Sequence, residues 1–146
     1  MKTFARNVLA KLHEAGLRDA EVLSATDDPE AFGNSEILAR IDIAVVRITR
    51  DRGQEFVDIS FDDGREFFQM DDLEIAMGWE TIAQVLARQV PADLGVSVSR
   101  FASRRDELKR HFTGSGRQLA LARLRRAAAD RGRAMLRHLE HPDQST

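Results

Sequence analysis

Hydrophobic residues near the start of the chain recur with the period of an α-helix. Phe4, Val8 and Leu12 are spaced four apart, which places their side chains on one face. Gly16 follows at a position where helices often end in a left-handed cap. The pattern predicts an amphipathic helix over residues 4–15.

The middle of the chain changes to a β-strand pattern. Residues 36–50 form the stretch richest in β-branched residues and alternate with period two, which predicts one long strand with a fully apolar face. Turn signals that end in glycine follow at 51–53 and 62–64. We therefore predict an antiparallel meander of strands over residues 36–50, 55–61 and 66–69, with 20–25 as a candidate fourth strand.

Helical spacing returns after residue 70. The predicted helices cover residues 71–77, 80–89, 98–112 and 117–140, and the last has one apolar seam of Leu121, Leu124, Ala128, Gly132, Met135 and Leu139. Gly114 and Gly116 lie between the last two predicted helices. Because such a short connection brings two helices side by side, the pattern predicts a helical hairpin. The expected fold is α+β: an N-terminal helix, an antiparallel β-meander of three to four strands, then C-terminal helices ending in a long basic helical hairpin.

Charge divides this single predicted domain, residues 1–146, into unlike parts. Residues 1–97 carry 10 basic and 19 acidic side chains, residues 98–141 carry 12 and 4, and residues 142–146 form a tail predicted to be disordered. Three explanations are open. The parts neutralise each other within the fold or across a homodimer formed through the C-terminal helices, the basic part faces an anion such as nucleic acid, or the acidic part faces a basic partner.

Candidate catalytic and metal-binding groups are few. The chain has no cysteine, which excludes disulfides and thiolate chemistry. His138 and His141 are three residues apart, but histidines at this position also suit the negative end of a helix. Acidic pairs coincide with turns, and no nucleophile or phosphate-binding motif occurs. We predict no enzymatic activity, no cofactor and no metal site.

The sequence also indicates where the protein is located and whether it binds nucleic acid. The apolar runs are too short to cross a bilayer, and residues 1–15 lack the apolar core of an export signal, so we expect a cytoplasmic protein that does not contact membranes. A phosphate-binding surface requires concentrated positive charge, and the twelve basic residues within 98–141 supply it. The net charge of −2 and the scarcity of stacking aromatics disfavour nucleic acid as the partner.

One part of the sequence resembles a known family. An apolar strand, the segments RDRGQ at 50–54 and FVDI at 56–59, and DDLEIAMGW at 71–79 are similar to small bacterial immunity proteins of contact-dependent growth inhibition and other polymorphic toxin systems. The likeness covers residues 36–80, about a third of the chain. It implies a protein without catalysis that binds a cognate toxin domain stoichiometrically and covers its active site.

The resemblance also implies where the partner binds. If the toxin is a basic nuclease, exposed acidic side chains attract it through complementary charge, and exposed aromatic side chains anchor it. The acidic candidates are Asp27, Asp28, Glu30, Asp62, Asp63 and Glu66, and the aromatic ones, if exposed, are Phe68 and Trp79. A core position under the sheet is the other interpretation of Trp79. The alternative function is a nucleic-acid-binding or regulatory module that uses the arginine-rich C-terminal helices.

Overall fold

The computed structural model describes residues 3–28, 34–88 and 94–140. Its secondary structure confirms the α+β class: an N-terminal helix, an antiparallel sheet and a set of C-terminal helices. The elements are α1 Thr3–Glu14, β1 Glu21–Asp28, β2 Asn34–Ile41, β3 Ala44–Asp51, β4 Gln54–Ser60, β5 Phe68–Gln69, α2 Met70–Ala76, α3 Ile82–Leu86, α4 Leu94–Ser103, α5 Arg105–His111, a 3₁₀ turn Gly114–Gly116 and α6 Arg117–Glu140.

The first helix agrees with its predicted pattern. The side chains of Phe4, Val8 and Leu12 are buried on the face that the spacing predicts. Gly16 has a positive φ of 93°, and the Leu17 N–H donates to the Leu12 carbonyl at 2.9 Å, which closes the helix C-terminus. Helix α1 therefore ends where the glycine allows the backbone to turn.

The sheet has five antiparallel strands in the order β1-β2-β3-β4-β5. The prediction of one strand over 36–50 was wrong, because a tight turn at Asp42 and Ile43 divides it into β2 and β3. Asp42 has a φ of 57°, and Ile41 lies opposite Ala44 across the turn. Fifteen residues also exceed the usual strand length of roughly 3–10 residues. The turn changes which residues share a face, so Val45 lies on the face opposite Ile41.

Both ends of the predicted meander also differ from expectation. The candidate strand at 20–25 is present as β1 and extends to Asp28, whereas the strand expected over 66–69 is reduced to Phe68–Gln69. It is short because the chain enters α2 at Met70. Gln69 is the N-cap of α2, and the side chain of Asp72 accepts from the Gln69 N–H at 3.3 Å in a capping box. The helix start thus takes the chain away from the sheet edge.

One face of the sheet forms the core. Ile37, Ile48 and Ile59 lie on this face and are fully buried, in the same cluster as Leu12 of α1 and Val98 of α4. Burying a side chain of this size contributes about 1.5–3 kcal/mol each, so this layer supplies much of the stability of the fold.

The C-terminal helices depart from the predicted hairpin. The helix expected over 98–112 is interrupted at Arg104, whose ψ of 9° separates α4 from α5. Helix α6 packs mainly on α2, with smaller contacts to α3 and β5. It therefore does not pair mainly with the helix before it, as the predicted hairpin required. Of its predicted apolar seam only Leu121 and Leu124 are buried, whereas Met135 and Leu139 are exposed.

Candidate functional site

A cleft of about 460 Å³ lies where the edge of the sheet meets the C-terminal helices. One wall is β4, and the others come from the start of α2, from α3, from α4 and from α6. The residues that line it are Glu55, Phe56, Val57, Asp58, Gln69, Met70, Asp71, Val85, Leu86, Arg88, Ser97, Arg131 and Met135. Its volume falls within the range of roughly 300–1,000 Å³ that is typical of ligand-binding pockets.

The β4 wall of the cleft is an open strand edge. β5 pairs with β4 only at Asp58 and Ile59, and within residues 3–28, 34–88 and 94–140 no strand pairs beyond β4 at positions 54–57. The Arg52–Gly53 turn has positive φ at both residues, as type I′ hairpins do.

The hairpin geometry decides which main-chain groups face the cleft. In a two-residue I′ hairpin the residues that flank the turn, here Asp51 and Gln54, are hydrogen-bonded to each other. Hydrogen-bonded positions alternate along a strand, so Glu55 and Val57 direct their N–H and C=O groups away from β3. These two residues offer main-chain donors and acceptors to whatever enters the cleft.

Large apolar side chains border the same cleft. Phe56 on β4 and Met135 on α6 are each 38% exposed. Leu136, the next residue, and Leu139, one helical turn after Met135, are 60% and 68% exposed, although they do not line the cleft itself. Aromatic residues and Met are enriched at protein–protein interfaces. This end of the molecule therefore combines main chain that no described strand pairs with and accessible apolar surface.

Charged side chains make up the helical side of the cleft. Arg88 donates to Asp71 at 2.8 Å. Burial raises the pKa of the Asp71 carboxyl above its usual range, and Arg88 only partly opposes this effect. Arg131 of α6 contacts Asp72 at 2.5 Å, and this hydrogen bond raises the pKa of the guanidinium.

Behind the cleft lies a buried ion-pair cluster. Glu74 of α2 is 1% exposed and accepts from Arg88 at 2.6 Å and from Arg100 of α4 at 2.7 Å. The same two guanidinium groups reach Glu80 at 3.3 Å. A buried carboxylate with two charge-assisted hydrogen bonds fixes the relative positions of the elements that carry the partners. The cluster thus ties α2 to α4 and gives the cleft a fixed back wall.

The basic and acidic parts of the sequence neutralise each other at many positions. The ion pairs between them join Arg100 to Glu74 and Glu80, Arg105 to Asp19 and Asp42, Lys109 to Asp42, Arg125 to Glu66, and Arg131 to Asp72. This supports the first of the three explanations for the charge division, neutralisation within the fold. The other two apply only to the charges that remain at the surface.

One such surface is the outer face of α6. Arg123 and Arg137 are exposed, and the side chains of Arg126 and Arg133 are 85% and 64% exposed. Asp130 contacts both Arg126 and Arg133, which reduces the net charge of this face. The face remains positive overall, in contrast to the ion-paired arginines of α4 and of the inner side of α6.

Three of the predicted partner-binding carboxylates lie in the loop between β4 and β5. Asp62 accepts from the Ser60 hydroxyl at 2.7 Å and from the Glu66 N–H at 2.9 Å. Asp63 is paired with Arg40 at 2.7 Å, and Glu66 with Arg125 at 3.0 Å. All three carboxylates thus take part in holding the loop, and their role in binding stays a prediction.

Asp62 differs from Asp71 in the direction of its pKa shift. Partial burial alone would raise the pKa of Asp62, but the hydrogen bonds from Ser60 and from the Glu66 main chain outweigh it and hold the pKa below its usual range. Asp62 is therefore charged at neutral pH and serves as an acceptor that shapes the loop.

The two predicted aromatic anchors are placed differently. Phe68 is 5% exposed and belongs to the core, so its side chain is not accessible to a partner. Trp79 is half-buried against the core, its indole N–H donates to Glu107 at 3.3 Å, and Arg104 lies 4.9 Å from the ring centroid. These partly apolar surroundings agree with the interpretation of Trp79 as a core residue. Its role in binding stays a prediction.

Of the remaining predicted partner residues, two belong to the edge strand β1. Asp27 and Asp28 end β1, where they lie opposite Ser35 and Asn34. Their side chains and all of Glu30 lie outside the described residues. β1 and β5 are the two edges of the five-stranded sheet, and whether the predicted residues form one surface stays a prediction.

The cleft itself was not among the sequence predictions. The sequence analysis assigned Phe56 only to the strand over 55–61 and Met135 to the apolar seam of the last helix. The hairpin turn before β4 was recognisable, but the early end of β5 depends on where α2 begins. Only the fold brings Phe56 and Met135 to one cleft.

Comparison with protein-family models, with curated proteins and with solved structures finds no match. In the described part of the chain, no three His, Asp or Glu side chains gather as they would around a metal ion. No described helix has both the length and the apolar character needed to cross a bilayer.

Proposed function

We propose that this protein is an immunity protein that binds a toxin domain stoichiometrically and neutralises it, with the β4 cleft as its docking site. The single observation that carries the proposal is that an unpaired strand edge and the accessible side chains of Phe56 and Met135 face one cleft. The likeness of residues 36–80 to immunity proteins of toxin systems supplies the class of partner.

The cleft is better suited to anchor a partner than the acidic loop is. Interface energy is concentrated in a few large side chains that become fully buried, whereas charges at the rim contribute mainly to association rate. Asp62, Asp63 and Glu66 already have partners within the fold. In the proposed complex these carboxylates form part of the rim, and the cleft forms the centre.

The experiment begins with tagged chain purified from the bacterium that encodes it. After nuclease treatment, the co-purifying proteins are identified at low and high salt by mass spectrometry. We expect a one-to-one, salt-resistant complex with the C-terminal region of a large secreted protein. That region is then expressed with the wild-type chain or with variants, and growth is measured. Failure to find a partner whose toxicity the chain relieves would contradict the proposal.

Matched variants connect growth to the cleft. The double variant Phe56→Ala/Met135→Ala should lose protection while keeping its melting temperature within a few degrees, since both side chains are partly exposed. Leu23→Ala/Leu119→Ala removes two exposed apolar side chains that do not line the cleft and should protect like the wild type. Equal protection by both double variants would remove the cleft from the proposal.

A second candidate function, nucleic-acid or other anion binding, rests on the outer face of α6. Arg123, Arg126, Arg133 and Arg137 face solvent there. Binding of the wild-type chain to a random-sequence DNA duplex and to single-stranded RNA, followed by fluorescence anisotropy, would fall steeply with salt. Arg126→Ala/Arg133→Ala should weaken it, and Arg18→Ala should not. Binding that is absent at low salt would contradict this candidate.

A further inference from the structure

The open edge of β4 is the place that a longer β5 would have occupied. β5 runs antiparallel to β4 and pairs with Asp58 and Ile59. A continuation past Gln69 would pair with Val57 and then Phe56, but the chain enters α2 instead. The main-chain groups of Glu55 and Val57 therefore face the cleft in line with β5, at the spacing that a strand requires.

The cleft walls favour an extended main chain over other occupants. A helix satisfies its own N–H and C=O groups, so it cannot pair with Glu55 and Val57. A second copy of this chain fits less well, because its own β4 edge is bordered by residues of α3 and α6, which would have to enter the cleft with it. An extended segment from a partner meets both conditions, since it is narrow and carries unpaired main-chain groups.

The charge of the cleft indicates what this segment carries. Asp71, Glu74 and Glu80 share the two guanidinium groups of Arg88 and Arg100. Three carboxylates on two cations leave one negative charge without a counter-ion in this cluster. Glu74 is buried behind the cleft, whereas Asp71 lines it. Burial is the main cause of the raised pKa of Asp71, and the neighbouring carboxylates of Glu74 and Asp72 add to it.

We propose that the cleft binds an extended peptide segment of the partner, which adds to β4 as a strand in line with β5. The segment pairs with the main chain of Glu55 and Val57. It places a large apolar side chain against Phe56 and Met135 and a Lys or Arg beside Asp71. This inference rests on the proposed function, since the neutralised toxin would supply the segment.

The first test uses random twelve-residue peptides displayed on phage and selected against the purified full-length chain. The side chains of enriched peptides should point alternately to two faces, as in a β-strand. The peptides should carry a basic residue on one face and a large apolar residue on the other. An enriched peptide is then synthesised, and its affinity is measured by fluorescence anisotropy. N-methylation at alternate main-chain nitrogens should weaken it at least about tenfold, because it removes the donors that pair with β4.

Variants of the protein separate the parts of this proposal. Phe56→Ala and Asp71→Asn should each weaken the basic peptide about tenfold, and replacing its Lys or Arg by Glu should do the same. Leu23→Ala and Asp63→Asn are the matched controls, since they change an exposed apolar and a paired acidic side chain away from the cleft. Absence of enriched peptides, or equal effects of test and control variants, would overturn the proposal.

Hydrogen exchange distinguishes failure of this inference from failure of the proposed function. In the toxin complex, the amides of Glu55 and Val57 should become protected. A complex that relieves toxicity while these amides stay unprotected would keep the immunity function and overturn strand addition. If peptides protect these two amides but the chain relieves no toxicity, strand addition stands and the immunity function is overturned.

Discussion

The two halves of α6 have similar apolar content but different surroundings. In residues 117–128 the side chains of Leu121 and Leu124 are buried against the rest of the fold. In residues 129–140 the three large apolar side chains, Met135, Leu136 and Leu139, are all exposed. One continuous helix thus contributes to the core through its first half and presents apolar surface through its second.

The ion pair of Arg131 with Asp72 marks the boundary between these halves. Asp72 is 3% exposed, so the contact is a buried attachment of α6 to α2. Beyond it the helix borders the cleft through Met135. The difference teaches that Met135, Leu136 and Leu139 are not explained by core packing, whereas Leu121 and Leu124 are.

The largest expected effect comes from removing the ion pair between Arg131 and Asp72. Arg131→Ala leaves Asp72 buried without its counter-charge, which should lower the free energy of unfolding by about 3–5 kcal/mol. Denaturant unfolding followed by circular dichroism measures the loss. Arg133→Ala, two residues away and exposed, is the control and should cost less than about 1 kcal/mol. Equal losses in the two variants would show that the Asp72 contact does not anchor the helix.

A similar contrast is expected for leucine truncation. Leu124 is fully buried, so Leu124→Ala should lower the free energy of unfolding by about 2–5 kcal/mol through lost burial and a cavity. Leu136→Ala makes the same chemical change in the second half, where the side chain is exposed, and should cost less than about 0.5 kcal/mol. A large loss for Leu136→Ala in the isolated chain would mean that the second half is structural after all.

Local patterns predicted the elements more accurately than their contacts. The 3.6-residue spacing placed α1 and α6 within a residue or two, because side-chain periodicity determines a helical face. The strand over 36–50 was predicted too long, since Asp42 gives no turn signal as strong as the glycines at 53 and 64. The seam to Leu139 was predicted correctly as a stripe, but periodicity cannot tell where the packing partner ends.

The cleft depends on contacts between distant parts of the sequence. Phe56 and Met135 are far apart in the chain, and only the early end of β5 leaves the space between them. Charge division was visible in the sequence, and its neutralisation within the fold was one explanation among three. Which carboxylate pairs with which arginine follows from the packing of α2 against α4 and α6, which no local pattern encodes.

Two carboxylates on either side of β5 should respond to pH in opposite directions. Asp71 has a raised pKa, so the native state binds its proton more tightly than the unfolded state does. Its contribution to stability is present below the unfolded pKa and is lost as the pH rises through the folded pKa. Asp62 has a lowered pKa, so its contribution is present above the unfolded pKa and is lost as the pH falls through the folded pKa.

Melting temperatures of the wild type and of Asp71→Asn and Asp62→Asn between pH 7 and pH 3 test this contrast. Subtracting each variant from the wild type removes the contribution of other carboxylates. The difference for Asp71→Asn should fall as the pH rises, whereas the difference for Asp62→Asn should grow. If the two differences changed in the same direction with pH, the assignment of burial to one group and of hydrogen bonding to the other would be contradicted.

The smallest expected effect concerns an ion pair in the first half of α6. Arg125 contacts Glu66 at 3.0 Å, but the two side chains are 52% and 41% exposed. Arg125→Ala should lower the free energy of unfolding by only about 0.5 kcal/mol, and less at high salt. Urea unfolding at two salt concentrations measures this loss, with Arg131→Ala as the contrast. A loss as large as that of Arg131→Ala would mean that position along α6, rather than burial of the paired carboxylate, determines what an arginine contributes.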